Sequence, residues 1–348
     1  MAEGSRLEFG VYHEFHRRPD ETPAQAFQTA LAQIEAADRW GLDAIWLAEI
    51  HQQARRSPLS VPMIVASAIA ARTHRIRIGT GVQVLPLCHP LRLAEEGATV
   101  DQISGGRLIF GVGRSGNPRS YAAYGIPYAE SRERFAETLE IVRLAWTRPR
   151  FSYEGKYWRF DNASAVPEPW QKPHPPIRVA GASEDTFPAL GAAGHPIFVA
   201  VRSGSYSALA PDLAAYRAAW EQAGHPGRGE VYLRLTMHVG ESDREATADA
   251  EESIMSGIRS LSSRLESSPN RRRVAEAEIV RTISYEEVLR DRVVVGGPQH
   301  VADRLAELRD QLGLSGILAE LNFGMLIPPE RMTHSLQLLC QDVMPQFR

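Results

Sequence analysis

The sequence is short of cysteine, with only Cys88 and Cys340 among its 348 residues. Two distant cysteines form neither a disulfide framework nor a zinc site, and so few are typical of a reducing cytoplasm. No charge sign dominates, with 39 basic and 42 acidic residues, so we expect neither nucleic-acid nor membrane-surface binding. No run approaches the roughly 20 apolar residues of a membrane helix, and the amino terminus lacks a signal peptide's apolar core. These absences predict a cytoplasmic protein.

Strand and helix patterns alternate along the whole chain. The predicted strands are residues 7–12, 44–47, 75–84, 108–112, 177–180, 197–201, 231–239 and 317–321. A capping box at Thr22 begins the first helix between them, and Gly41 ends it. This alternation predicts an α/β fold, a single (β/α)8 TIM-barrel domain over residues 1–348. The rival fold, an open doubly wound sheet, favours a glycine-rich turn after the first strand, where this chain has YHEFHRR.

Two segments interrupt the alternation. Residues 147–175 are rich in aromatic residues and proline, which predicts a small hairpin and an extended loop. Residues 256–292, after the seventh strand, include the polar stretch SSRLESSPNRRR. Long connections in a compact barrel are either functional lids or disordered insertions. We therefore predict a mobile insertion or lid, with a solvated helical hairpin as the alternative.

Several strands end in polar residues, where barrel enzymes build their sites. Glu49 and His51 follow the second strand and His13 follows the first, and we regard these three as candidate catalytic residues. Each has a structural alternative: Glu49 can pair with Arg55 or Arg56, and a histidine at a barrel mouth is as often structural as catalytic. The chain shows no carboxylate–histidine spacing that completes a metal site, so we expect no metal.

An arginine and a helix start indicate an anion site. Gly181, Ala182 and Ser183 immediately precede a predicted helix, whose free N–H groups and serine hydroxyl would face a bound anion. Arg114 lies in a glycine loop one strand earlier, and an arginine beside a helix N-terminus makes a good phosphate cradle. A capping serine with a surface arginine is the plain alternative. The glycine pair at 296–297 is a second place for a phosphate.

Three further residues near strand ends invite a functional interpretation. Gly79 and Gly81 lie inside the third strand, where glycine often marks the close approach of a ligand or another backbone. His89 begins the next helix and is a weaker candidate for a direct role.

Five segments of the chain carry a resemblance to a known family. They are 41–51 (GLDAIWLAEIH), 75–96 (RIRIGTGVQVLPLCHPLRLAEE), 101–116 (DQISGGRLIFGVGRSG), 175–186 (PPIRVAGASEDT) and 293–305 (VVVGGPQHVADRL). Together they resemble the bacterial luciferase-like flavin-dependent monooxygenases. The resemblance implies the same barrel and an FMN cofactor, supplied reduced by a separate NAD(P)H:flavin reductase. It also implies that dioxygen oxygenates a small organic substrate through a flavin peroxide, in a homodimer that pairs through helices 62–72 and 91–102.

The resemblance assigns roles by position. Arg114 matches the flavin-phosphate arginine, and residues 181–183 match the phosphate-binding turn. Gly81-Val82 matches a non-proline cis peptide behind the flavin ring. His51 matches the second histidine of a Glu-His-His run, whereas Ile50 replaces the first, the proposed base of luciferase. That replacement argues against light emission and against identical proton chemistry.

The implied chemistry needs a site from which water is excluded. We expect an apolar wall from strand-end residues, namely Trp46, Val82, Val84, Leu85 and Phe110. Two other functions use the same barrel: a deazaflavin-dependent dehydrogenase, which moves a hydride, and a non-catalytic flavin-binding protein. The sequence does not identify the substrate.

Overall fold

Eight parallel strands close into a barrel, which confirms the predicted fold class. The computed structural model describes residues 6–18, 20–181, 186–201, 205–266, 277–278 and 280–348. The strands are β1 (Glu8–His13), β2 (Ala44–Leu47), β3 (Arg77–Thr80), β4 (Gln83–Val84), β5 (Leu108–Gly113), β6 (Phe151–Glu154), β7 (Arg159–Ala163), β8 (Ile177–Ala180), β9 (Ile197–Ala200), β10 (Val231–Val239), β11 (Val293–Gly296) and β12 (Gly316–Glu320). The barrel runs β1-β2-β3-β5-β8-β9-β10-β12 and closes where β12 pairs with β1.

Helices follow the barrel strands and pack outside them. They are α1 (Pro23–Trp40), α2 (Pro62–Ala70), α3 (Pro90–Ser104), α4 (Pro118–Ala123), α5 (Ser131–Thr147), α6 (Thr186–Ala192), α7 (Ala210–Gln222), α8 (Asp243–Glu266), α9 (Tyr285–Asp291), α10 (Pro298–Leu312) and α11 (Pro329–Leu338). The Thr22 capping box begins α1, and Gly41 ends it in a left-handed conformation with φ 87°. Within the described ranges, no helix is both long and apolar enough to cross a membrane.

Two strands differ from the prediction. The predicted strand 75–84 is divided into β3 and β4, and a cis peptide joins Gly81 to Val82 at the division. Strand β11 was not predicted. It pairs with the carboxyl half of β10, from Thr236 opposite Val293 to Val239 opposite Gly296. The predicted hairpin is present as the antiparallel pair β6–β7.

The predicted lid is largely helical where the structure describes it. Helix α8 continues to Glu266, and α9 covers Tyr285–Asp291. Their apolar side chains form a second core with β11, which contains Ile254, Ile258, Leu265, Val280, Val288, Val293 and Val295. Residues 256–266 are therefore helical, in agreement with the helical alternative. Residues 267–276 and 279 lie outside the described residues, and closure of a lid stays a prediction.

Strand parity organises the barrel interior, because alternate side chains of a strand face opposite sides. Trp46 faces inward and is completely buried. A Cβ at Gly79 would lie 2.5 Å from its indole, and one at Gly10 would lie 2.7 Å from it. Gly79 is therefore required by a neighbouring side chain, and not by the ligand or backbone that the sequence suggested.

The predicted apolar wall is only partly correct. Trp46 and Val82 do belong to the inner cluster, with Tyr12, Ile50 and Phe198. Phe110 and Leu85 belong instead to the core between barrel and helices, and the Phe110 ring lies 4.9 Å from that of Trp146 on α5. The prediction for these two was wrong because it ignored the alternation of side chains.

Candidate active site

A glutamate and a histidine form a hydrogen-bonded pair where the chain leaves β2. Nε2 of His51 lies 2.8 Å from Oε1 of Glu49. The side chains are 10% and 3% exposed, respectively. Because parallel barrel strands direct their carboxyl ends to one face, the pair lies at the face where barrel sites form. The structure thus brings together two of the three predicted catalytic residues.

Strand β4 holds the carboxylate of Glu49. Its Oε2 accepts hydrogen bonds from the Gln83 side-chain amide at 2.7 Å and from the Val84 N–H at 2.9 Å. Burial raises the pKa of Glu49, and the hydrogen bonds from His51 and Val84 oppose that rise. Neither Arg55 nor Arg56 forms a described ion pair with Glu49. Glu49 is therefore positioned to accept or release a proton toward His51.

Ile50 faces the opposite way from its two neighbours. It is 8% exposed and belongs to the inner cluster with Trp46 and Val82. Its backbone N–H donates to the carbonyl of Leu59 at 2.9 Å, which fixes the loop. An aliphatic side chain thus faces the interior at the position of luciferase's first histidine.

His13 does not join the pair. Its Nε2 lies 3.2 Å from Oε1 of Gln33 on α1, and its Nδ1 accepts from the Phe15 N–H at 3.0 Å. Burial lowers the pKa of His13 to about 4. A neutral histidine with both nitrogens satisfied between barrel and helix supports the structural interpretation. His13 lies on the same side of β1 as Phe9 and Val11, which belong to the core between barrel and helices.

An interior charged cluster was missed. Arg234 stacks on the Tyr12 ring, with Cζ 3.6 Å from the centroid. Its guanidinium forms ion pairs with Glu320 at 2.6 Å and with Glu14 at 3.4 Å. Arg56 closes the cluster by binding Glu14 through Nε at 2.6 Å. Arg234 shares inward parity with Tyr232 in the apolar strand VYLRLTMHV, and a charge at an inward position was the signal that could have found it.

The cis peptide expected at Gly81-Val82 is present. A Cβ at Gly81 would lie 3.3 Å from the Tyr12 ring, and one at Gly113 would lie 2.8 Å from Val82. These two glycines therefore leave room for the side chains of Tyr12 and Val82, beside β4 and the Glu49 carboxylate.

Arg114 follows β5 at the same face of the barrel. Its Nη1 donates to the hydroxyl of Ser131 at 3.3 Å, and no carboxylate of the described residues forms an ion pair with it. The Tyr121 hydroxyl donates to the Arg114 carbonyl, which anchors the backbone. Gly181 is buried, with its N–H bonded to the Phe198 carbonyl at 3.0 Å. Ala182 and Ser183 lie outside the described residues, so the second half of the predicted anion site stays a prediction.

The alternative phosphate position is already occupied by a side chain. The N–H of Gly297 donates to Oδ1 of Asp243 at 2.7 Å. This carboxylate takes the N–H group that a phosphate would use at this turn. His89 has a structural role, because it caps α3 by accepting from the Arg92 N–H at 3.4 Å, and its ring lies 4.7 Å from that of Trp158.

Within the described part of the chain, no cluster of three or more His, Cys, Asp or Glu side chains could hold a metal ion.

A model of the luciferase-like monooxygenase family matches residues 7–315. The chain belongs to this family. It is therefore a flavin-dependent monooxygenase, one class of oxidoreductase.

Relatives of known activity span nearly the whole chain. The oxygenase component of a flavin-dependent trigonelline monooxygenase from Acinetobacter baylyi is 26% identical over 98% of this chain and 96% of that protein. The solved structure of monooxygenase RslO1 from Streptomyces bottropensis superposes with a TM-score of 0.83 at 27% identity, covering 98% of this chain and 100% of that one. The oxygenating constituent of 3,6-diketocamphane monooxygenase from Pseudomonas putida, in complex with FMN, shares the fold with a TM-score of 0.82 at 23% identity, covering 98% and 99%.

Proposed function

We propose that the protein is the oxygenase component of a two-component system, which takes reduced FMN from a separate NAD(P)H:flavin reductase and uses dioxygen to oxygenate a small organic substrate. The observation that carries this proposal is the Glu49–His51 pair on the same barrel face as Arg114. A buried acid–base pair and a cation without a described carboxylate partner suit a substrate reaction and a phosphate, respectively. The trigonelline enzyme's name, which includes "oxygenase component", supports the separate reductase.

The residues present fit a flavin mononucleotide. The cis peptide Gly81-Val82, which the resemblance places behind the flavin ring, lies on the same barrel face as Arg114 and the Glu49–His51 pair. Arg114 has donors free for a phosphate beyond its bond to Ser131. The fold-sharing diketocamphane structure holds FMN. When bound, reduced FMN supplies the electrons that activate dioxygen.

The chain's own residues then have three roles. Arg114 holds the phosphate by a charge-assisted contact. Ile50, Val82 and Trp46 exclude water from the mouth, because apolar side chains offer no hydrogen bonds to it. His51, held by Glu49, gives or takes a proton near the reacting atoms.

Assembly and location are part of the proposal. We place the homodimer contact on α2, where Ile64 is 70% exposed and Val61 is 46% exposed. The cytoplasmic location stays a prediction from the sequence.

The deciding experiment measures oxygen consumption by the purified protein with FMN, a flavin reductase and NAD(P)H, screened over aldehydes, ketones and thioethers. Product that contains one atom of labelled dioxygen would support the proposal. Anaerobic substrate oxidation with a deazaflavin, and none with FMN and oxygen, would identify a dehydrogenase instead. Tight binding of oxidised FMN without turnover of any substrate would indicate a flavin carrier.

A further inference from the structure

His51 has a second partner that the sequence did not indicate. The hydroxyl oxygen of Tyr124 lies 3.3 Å from Nδ1 of His51. The two rings meet edge to face, with centroids 5.2 Å apart and an interplanar angle of 67°. Tyr124 directly follows α4 and is 50% exposed, whereas the His51 side chain is 10% exposed.

Both ring nitrogens of His51 are therefore engaged. Nε2 faces Glu49 and Nδ1 faces Tyr124. Of the two partners of His51, Tyr124 is the more exposed, whereas the Glu49 side chain is 3% exposed. The three polar groups form one continuous chain from a buried carboxyl to a half-exposed hydroxyl.

We propose that Glu49, His51 and Tyr124 form a proton relay, in which Glu49 is the buried proton store and the Tyr124 hydroxyl is its outlet to the bound substrate. Before transfer, Glu49 is a neutral carboxylic acid that donates to Nε2 of His51. The Nδ1–H of the neutral His51 ring donates to the Tyr124 oxygen. Tyr124 gives its proton to the substrate and takes the Nδ1 proton, while His51 takes the Glu49 proton at Nε2. One proton leaves, Glu49 becomes a carboxylate, and His51 changes tautomer while remaining neutral.

The surroundings of Glu49 suit both of its states. The donors on Oε2, Gln83 and Val84, stabilise the carboxylate that remains after transfer. Burial raises the pKa of Glu49 and so favours the acid that precedes transfer. The pKa of Tyr124 is also raised, by burial and then by the Glu49 charge, which keeps the hydroxyl protonated.

Helix α4 holds the outlet in place. Asn117 caps the helix by accepting from the Arg119 N–H at 3.2 Å, and its amide donates to Ser120 at 3.0 Å. The Tyr121 hydroxyl, one turn before Tyr124, is bonded to the carbonyl of Arg114. The same short helix thus touches the proposed phosphate residue and the outlet.

This proposal rests on the proposed function and is tested with the whole enzyme. Tyr124→Phe keeps the ring against His51 and removes only the hydroxyl. At saturating substrate, product formation should fall roughly a hundredfold, a typical contribution of general acid–base catalysis, while FMN affinity and melting temperature stay unchanged. Tyr153→Phe is the matched control. Tyr153 lies on β6 of the hairpin, away from the mouth, and its exposed hydroxyl donates to Glu140 of α5 at 3.2 Å. Full activity of Tyr124→Phe, in an enzyme that His51→Ala inactivates, would overturn the relay and leave the monooxygenase proposal intact.

A measurement on the flavin-free protein tests the chain directly. The ¹⁵N signals of the His51 ring nitrogens report its tautomer and hydrogen bonds. Tyr124→Phe should shift the Nδ1 signal and leave Nε2 nearly unmoved, whereas Glu49→Gln should change the tautomer. An Nδ1 signal that is identical in wild type and Tyr124→Phe would show that the two groups do not bond in solution, and would overturn the proposal. If wild type and the Tyr153→Phe control also show no activity, that result would instead contradict the proposed function.

Discussion

Oε1 of Glu49 lies 2.8 Å from Nε2 of His51, while its Oε2 accepts a hydrogen bond from the Val84 N–H of β4. Glu49→Gln keeps an acceptor for Val84 but has no proton to store. We expect it to lower turnover roughly a hundredfold and to raise thermal stability slightly near neutral pH, since it removes a buried ionisable group. The measurement is product per reduced flavin beside a melting curve. A stability loss with unchanged turnover would make Glu49 purely structural.

The same pair predicts the pH profile. The raised pKa of Glu49 means that its acid form persists above the usual range. Because the relay delivers the proton of that acid form, turnover should be full below this pKa and should fall as pH rises through it. The titratable groups that interact with Glu49 are His51, Cys88, Tyr121 and Tyr124, so the measured midpoint belongs to the coupled set. Glu49→Gln should remove the descending limb, and a profile unchanged by that substitution would contradict the assignment.

Arg114→Ala tests the phosphate site. A charge-assisted contact to phosphate is worth about 1.5–3 kcal/mol, so reduced FMN should bind roughly ten- to a hundredfold more weakly. Anaerobic titration followed by fluorescence measures this. Riboflavin, which lacks the phosphate, is the internal control and should bind wild type and variant alike. An equal loss for both flavins would mean that the substitution disturbs the fold.

His13 should control acid stability and not catalysis. Its pKa is lowered by burial from 6.5 to about 4. The unfolded chain therefore takes up a proton below pH 6.5 that the folded chain refuses, and about 3 kcal/mol of stability is lost as pH falls to about 4. His13→Asn, whose Oδ1 can replace Nδ1 as acceptor for Phe15, should flatten this part of the stability curve in urea and keep full turnover at neutral pH. Inactivity of a well-folded variant would restore His13 as a catalytic candidate.

Particular residues show how far the sequence could predict this molecule. Apolar periodicity and caps at positions such as Thr22 and Gly41 sufficed for the barrel, because local chemistry determines those elements. The break between β3 and β4 was missed in the strand pattern, although Gly81 marks it and the resemblance places a cis peptide there. Strand β11 was missed because VVVG is short and follows a polar segment.

The candidate site, too, could be predicted only in part from the sequence. Glu49 and His51 are two residues apart, and their position at a strand end was readable. Phe110 was misjudged because the alternation of side chains along β5 was ignored, whereas a catalytic role of His13 awaits its test. Tyr124 reaches His51 across 73 positions, and a contact made by tertiary packing has no mark in local sequence.

The last prediction concerns assembly through α2. Ile64 is 70% exposed in the first turn of a helix whose other side is buried, including Met63, Val65 and Ala66. The resemblance implies a homodimer that pairs through this helix, so we expect a second copy of the chain to cover Ile64. Burying its side chain is worth roughly 1.5–3 kcal/mol. Ile64→Glu should therefore convert a dimer into a monomer without lowering the monomer's melting temperature, as measured by light scattering at micromolar concentration. Val166→Glu is the matched control, because Val166 is 73% exposed in the loop after the hairpin and outside the proposed contact. A monomeric wild type would contradict the dimer. A dimeric Ile64→Glu variant would place the contact elsewhere, because a buried glutamate without a partner is too costly to keep at an interface.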